Sequence, residues 1–146
     1  MPDVAQRVHW DNDWARSACV PMAYDYGMLR DCWLTHHLTN WMGDDGWLVR
    51  HSSQMRKFNY VGDTHLIIGE VTGKRVEAGM HLVDIELRGT SQRDEVTCPA
   101  TATIALPSRD AGDVALPSVP ASISQQAVAM MARHGELLRQ RADSAK

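Results

Sequence analysis

The sequence of 146 residues is long enough for one domain with a hydrophobic core and a small appendage, but not for two full domains. Its 44% hydrophobic and 23% charged residues are typical of a globular protein, and the net charge of -3 argues against nucleic acid or an anionic membrane as a partner. Three cysteines without a CxxC spacing argue against a disulfide framework and favour a reducing cytoplasm. The sequence shows no signal peptide and no apolar run of about 18 residues, which argues against secretion or a membrane span.

The first predicted element is a short helix over residues 12–18. Asp11 is a good N-cap for it, because a carboxylate at this position accepts hydrogen bonds from the first free amide groups. Val20-Pro21-Met22 ends that helix, and Tyr24-Asp25-Tyr26-Gly27 predicts a turn where the backbone comes close to another group.

A longer helix is predicted over residues 28–42. Its apolar residues recur at helical spacing but spread beyond a single stripe, which indicates a helix buried on most of its circumference. Gly43 ends it, and Asp44-Asp45-Gly46 forms the next turn.

Four strands are predicted after this turn. Residues 47–59 alternate only weakly, residues 66–71 form a more clearly apolar strand, and residues 80–88 and 96–106 alternate clearly. Their hairpin-length connections predict an antiparallel sheet. Residues 107–120 contain three prolines and predict a linker, and residues 121–146 predict an amphipathic helix. The predicted organisation is an α+β domain over 1–106, a linker over 107–120 and an appended helix.

The beginning of the chain resembles the MaoC-like (R)-specific enoyl-CoA hydratases. The later part of that family's signature, His-x-Asp-x-x-x-Ala, is matched by His9, Asp11 and Ala15, and Gly27 follows His9 at the family's usual separation of eighteen residues. Further along, Asn59 to Thr64 resembles the Pro-x-Gly-Asp-Thr turn between two sheet strands of these enzymes. The resemblance covers about residues 3 to 106.

This resemblance implies a hot-dog fold, in which an antiparallel sheet wraps a long central helix, and a hydro-lyase of fatty acid metabolism acting on 2-enoyl-CoA thioesters without a cofactor. His9 and Asp3 are the implied acid–base pair, and the backbone N–H of Gly27 is the implied donor to the thioester oxygen. Tyr24, Tyr26 and Trp10 are the candidate substrate-binding side chains.

The sequence departs from the family pattern in two respects. The catalytic aspartate of the family falls on Val4 here, so Asp3 is one position away from it, and Gln6-Arg7 replaces the family's Asn-Pro pair. A hot-dog domain normally also has a strand before the signature, for which this chain has no room, so the chain resembles the later part of such a domain or the second half of a double-domain dehydratase. We therefore expect a homodimer, a higher oligomer, or a hetero-oligomer in which another hot-dog chain supplies the missing strand.

Two alternative functions remain open from the sequence. The first is a non-catalytic partner subunit of a hydratase complex. The second is a hot-dog acyl-CoA thioesterase, in which Asp25 or Asp31 activates water at the thioester carbonyl. No metal site is expected, because the neighbouring His36 and His37 point about 100° apart on a helix and Asp44-Asp45-Gly46 lacks the further ligands of a calcium loop.

Overall fold

The chain divides into two compact units, Met1–Ala115 and Leu116–Lys146. The computed structural model of the protein describes residues 6–144. The first unit contains helices α1 (Asn12–Ser17) and α2 (Gly27–Met42) and four strands: β1 (Trp47–Ser53), β2 (His65–Glu77), β3 (Met80–Ser91) and β4 (Val96–Ala105). The second unit contains helix α3 (Ala121–Ser144).

The four strands form one antiparallel sheet in the order β1-β4-β3-β2, which confirms the predicted sheet. The prediction of a hairpin between β1 and β2 is wrong, because these two strands lie at opposite edges of the sheet. Residues 54–64 connect these two strands. Along this segment the Arg56 amide donates to the Thr97 carbonyl, and Tyr60 forms an isolated antiparallel β-bridge with Tyr24. This connection therefore joins the sheet to the segment that precedes α2.

Helix α2 packs on one face of the sheet, as predicted. Its Leu34 and Leu38 are fully buried, and they share one core with Val83, Ile85, Leu87, Cys98, Ala100, Ala102 and Ile104. The expectation that α2 is buried around most of its circumference is wrong for this chain, since Met28 is 79% exposed and Trp41 is 49% exposed. The four-stranded sheet covers only the side of the helix that carries the i, i+4, i+8 stripe.

The first two residues of β4 do not follow the alternation of the rest of the strand. Strict alternation places Thr97 on the same face as Thr101 and Thr103, yet Thr97 is fully buried and Val96 is 41% exposed. The register between β3 and β4 shifts at Gly89/Thr90, where Gly89 pairs with Cys98 and Thr90 pairs with Val96. This bulge leaves Thr97 without a strand partner and turns its side chain into the core, where its hydroxyl contacts His65. Among residues 6–144, no helix is both long enough and apolar enough to cross a bilayer.

Candidate active site

His9 ends a short 3-10 helix, Arg7–His9, and its imidazole contacts the segment that leads into α2. The ring Nδ1 lies 2.8 Å from the carbonyl oxygen of Tyr24. Because a carbonyl oxygen only accepts, Nδ1 carries the proton of this hydrogen bond. In the neutral ring, Nε2 then holds the lone pair that a general base needs. The atom next to Nε2 is Gln6 Oε1 at 3.2 Å, which is an acceptor, so this contact is not a hydrogen bond in that tautomer.

Two tyrosines pack against this imidazole. The Tyr26 ring is stacked on it at a centroid distance of 3.7 Å, and the Tyr24 ring meets it edge-on at 4.8 Å. Since Tyr26 immediately precedes Gly27, these contacts bring His9 beside the start of α2. Trp10 differs, because it is 61% exposed and its ring lies 5.7 Å from the Arg7 guanidinium carbon. The structure therefore places two of the three predicted substrate-binding side chains around His9.

Two acids near His9 carry predictions from the sequence, Asp11 as a helix cap and Asp3 as a catalytic acid. Asp11 caps α1, since its Oδ1 accepts hydrogen bonds from the amides of Asp13 and Trp14 at 3.0 Å, as predicted. The bond from the Trp14 amide and then the bond from the Arg7 side chain hold the pKa of Asp11 below its ordinary value. Asp3, the predicted catalytic acid, lies outside the described residues.

Gly27 is the first residue of α2. A Cβ added to it would lie 3.4 Å from Met55 Cγ, which is close to an ordinary van der Waals contact, so packing does not require glycine here. The preceding residue is a tyrosine rather than one of the usual capping types, Ser, Thr, Asp or Asn. The positive end of this 16-residue helix, with its first free amide groups, can therefore face a ligand oxygen.

A buried ion pair lies one turn into α2. The Arg30 side chain is 4% exposed and the Asp25 side chain is 9% exposed, and Arg30 Nε lies 3.0 Å from Asp25 Oδ2. Arg30 Nη1 also donates to the Lys57 carbonyl at 2.7 Å, and Asn59 Nδ2 donates to Asp25 Oδ2 at 3.1 Å. These bonds tie the start of the helix to the loop after β1. Sequence reasoning missed Arg30, although its spacing of four from Leu34 places it on the buried stripe.

Backbone hydrogen bonds continue this attachment. The Asp25 amide donates to the Asn59 carbonyl at 3.0 Å, and the Val61 amide donates to the Ala23 carbonyl at 2.9 Å. Further along the loop, Asp63 receives both terminal nitrogens of Arg93, at 2.8 and 2.7 Å. The Arg93 guanidinium is the main reason why the pKa of Asp63 lies well below its ordinary value. The sequence-predicted Gly-Asp-Thr turn is thus fixed to the end of the β3–β4 hairpin.

A cleft of about 260 Å³ opens at the start of α2, between residues 24–30 and residues 55–58. We call it the helix-head cleft. Gly27 contributes to its wall together with the apolar side chains of Met55 and Phe58, and Arg56 and Lys57 supply positive charge. Tyr24 also belongs to the wall, so one aromatic ring contacts both the cleft and the His9 imidazole.

The two carboxylates suggested for a thioesterase are both engaged in hydrogen bonds. Asp25 is held by Arg30 and Asn59, as described above. Asp31 is 48% exposed, accepts a hydrogen bond from Ser53 at 2.6 Å, and lies 3.6 Å from His51 Nδ1. Of the two, only Asp31 is accessible enough to orient a water molecule.

No protein-family model and no curated protein sequence matches the chain. Solved structures do match it. Over 70% of this chain and 76% of the other, it is similar to a chain of the ChsH1–ChsH2 complex from Mycobacterium tuberculosis, with 22% identity and a TM-score of 0.61. An (R)-hydratase from A. caviae involved in PHA biosynthesis matches over the same shares, with 19% identity and a TM-score of 0.62.

A third structure, the R-hydratase PhaJ1 from Pseudomonas aeruginosa, matches 80% of this chain and 74% of its own, with 18% identity and a TM-score of 0.63. These likenesses agree with the packing of α2 against an antiparallel sheet and with the predicted α+β class. The chain has the hot-dog fold of the MaoC-like (R)-hydratases.

Proposed function

We propose that this protein is a hydro-lyase that adds water to, or removes it from, the double bond of a 2-enoyl-CoA thioester. The observation that carries the proposal is the placement of His9 beside the head of α2, where Tyr24 fixes its Nδ1 proton and Tyr26 stacks on its ring. An oriented imidazole next to a helix N-terminus combines a proton-transfer group with donors for a developing negative charge.

The chemistry divides into two parts. For hydration, the water oxygen bonds to C3 of the enoyl group while a base removes its proton, and C2 receives a proton as the enolate collapses. His9 and Asp3 share these proton transfers, which contribute 10²- to 10⁴-fold each in typical enzymes. The Gly27 amide stabilises the enolate oxygen of the thioester. The reaction needs no cofactor, because side chains and backbone supply every group.

The substrate chain is proposed to lie along the aromatic side chains near His9. Tyr24 and Tyr26 already contact the imidazole, so an acyl group that reaches His9 also meets these rings. Trp10 would add a contact from the more exposed side. Acyl-CoA is accordingly the proposed small-molecule partner.

The protein partner is proposed to be a second hot-dog chain, either a copy of this one or a related subunit. On the edge strand β2, Leu66 is 61% exposed and Val76 is 64% exposed. On the central helix, Met28 and Trp41 are also exposed. An apolar edge strand and an apolar helix face of this kind favour association.

A non-catalytic partner subunit is the second candidate function. The observation in its favour is that Val4 occupies the position of the catalytic acid in the family signature. In that case the chain would support a catalytic subunit rather than hydrate the substrate itself.

A single assay separates these functions. The purified protein is offered crotonyl-CoA, and both the enoyl absorbance and the free thiol are followed. Loss of absorbance without free thiol is the expected result. Release of free CoA would instead identify a thioesterase, with Asp31 as the residue to change next. If the enoyl absorbance stays constant and no free thiol appears, the hydratase is contradicted and the partner role is supported.

A further inference from the structure

The solvent-facing side of helix α2 carries no formal charge. Its residues are Met28, Leu29, Cys32, Thr35, His36, Thr39 and Asn40. They lie opposite the buried stripe of Arg30, Leu34 and Leu38. The side of a helix that faces water usually carries charged residues, whereas here Met28 is 79% exposed. An uncharged and partly apolar face of this kind can approach a copy of itself without charge repulsion.

Cys32 and His36 lie in the middle of this face, one helical turn apart, and both are exposed. Residues four apart on a helix have Cβ atoms about 5–6 Å from each other. A thiolate and an imidazole are common ligands of Zn²⁺, with a Zn–S distance of about 2.3 Å and a Zn–N distance of about 2.0 Å. Both side chains can therefore reach one ion, unlike the adjacent His36 and His37, which point about 100° apart.

The other nitrogen of the His36 ring already has a partner. The side-chain amide of Asn40 lies 3.1 Å from His36 Nε2. An asparagine amide has an oxygen as well as a nitrogen, so it can accept the Nε2 proton and leave the lone pair on Nδ1. Histidines that bind a metal usually have their other ring nitrogen in a hydrogen bond, which fixes the orientation of the ring. Asn40 is placed to do this for His36.

One chain supplies only half of a closed zinc site. Structural zinc sites have four protein ligands in a tetrahedron. Within residues 6–144, however, no group of three or more His, Cys, Asp or Glu side chains could hold a metal ion. A two-fold axis through the centre of the uncharged face brings a second Cys32 and a second His36 next to the first pair. A copy of this chain therefore completes the ligand set.

We infer that Cys32 and His36 of two copies of this chain bind one Zn²⁺ between their α2 helices. Each thiol gives its proton to solvent when its sulfur binds the ion, and each imidazole binds through Nδ1. The inference specifies the proposed association of hot-dog chains as one between copies of this chain. It does not depend on the proposed hydration.

The test loads metal-free, reduced protein with Zn²⁺ or with Co²⁺. Light scattering measures the mass of the loaded species, and the absorption of Co²⁺ reports its ligands, since a cobalt–thiolate bond gives a charge-transfer band. We expect saturation at one ion per two chains, in a species of at least two chains, with a thiolate band and the visible bands of tetrahedral Co²⁺.

Single substitutions identify the ligands. Cys32→Ser and His36→Gln should lose this binding, whereas the controls Cys19→Ser and His134→Gln, also at exposed positions, should bind as the wild-type protein does. Asn40→Ala should lower the affinity by about 10- to 100-fold, because the partner of the ligating imidazole is removed. Circular dichroism checks that each variant is folded.

Three results would overturn the inference. They are one ion bound per monomeric chain, a Co²⁺ spectrum without a thiolate band, and unchanged metal binding in Cys32→Ser or His36→Gln. A protein that binds one Zn²⁺ per two chains through these residues but does not hydrate crotonyl-CoA overturns the proposed function alone.

Discussion

Two histidines of this protein lie in regions that hold them in different ways. His9 is only partly buried, its Nδ1 donates to a backbone carbonyl, and its ring lies beside the head of α2. His65 is also partly buried, but it lies on the edge strand β2, with Nε2 2.5 Å from the Thr97 hydroxyl and its ring 5.8 Å from that of Trp33. The same side chain can therefore take part in chemistry in one region and in packing in the other.

The two regions also differ in what stabilises them. The helix head is held by hydrogen bonds and by the buried pair of Arg30 and Asp25. The region of His65 depends on close packing, because a Cβ on Gly89 would overlap both Cys98 Sγ and the His65 ring. Polar networks fix positions and leave openings such as the helix-head cleft, whereas close packing excludes ligands.

The largest expected effect is the loss of activity when His9 is replaced. In His9→Ala we expect the rate of crotonyl-CoA hydration to fall by about 10²- to 10⁴-fold, because a proton-transfer group is removed. Circular dichroism should show an unchanged fold, since the ring is partly exposed. The matched change His65→Gln should lower the free energy of unfolding and keep the hydration rate. Full activity in His9→Ala would exclude His9 from the mechanism.

The next largest effect is expected at the buried ion pair. Arg30→Met leaves the Asp25 carboxylate buried without its cation, which should cost about 3–5 kcal/mol in the free energy of unfolding. Urea denaturation measures this loss. The double variant Arg30→Met/Asp25→Asn should recover part of it, because the unpaired charge is then removed. A cost below about 1 kcal/mol would mean that the pair does not fix the helix head.

A smaller, opposed pair of effects is expected at two glycines. Gly89→Ala should lower the free energy of unfolding by about 1–3 kcal/mol through overpacking against Cys98 and His65. Gly27→Ala should leave stability nearly unchanged, since its Cβ meets Met55 Cγ at 3.4 Å, and should reduce hydration by obstructing the thioester. Equal losses of stability in the two variants would contradict the difference in packing between the two regions.

The smallest effect concerns pH. Burial, and then the charge of Arg30, lower the pKa of His65 below its ordinary value of 6.5. The unfolded chain therefore takes up this proton more readily than the folded one, so stability is full above about pH 6.5 and declines as the pH falls below it. Denaturation midpoints between pH 7.5 and 5.5 should fall less in His65→Gln than in the wild-type protein. Parallel midpoints would show that His65 does not couple folding to protons.

The sequence predicted the elements whose pattern is local. The alternation of Val83, Ile85 and Leu87 predicted β3, and the caps Asp11 and Gly43 bounded the two helices. Pairing between distant strands was not predictable in the same way. The place of β1 beside β4 depends on the path of residues 54–64, and the hydrogen bonds of this segment with Thr97, Ala23 and Asp25 leave no periodic signal.

The candidate site was predicted where a motif pointed to it and missed where tertiary contacts create it. His9, Tyr24 and Tyr26 were named from the sequence and lie together. Arg30 was not named, because a charged residue within a helix is usually exposed and only its spacing from Leu34 indicated otherwise. The helix-head cleft lies between two segments that are distant in the sequence, so no local motif indicates it.

A crystal structure with 3-hydroxybutyryl-CoA bound would test most directly whether His9 and the head of α2 act on the same substrate. We expect the thioester oxygen within hydrogen-bond distance of the Gly27 amide, and the 3-hydroxyl within reach of His9 Nε2, directly or through one water. A ligand whose thioester lies away from the head of α2, or whose hydroxyl is remote from His9 in every protomer, would contradict it.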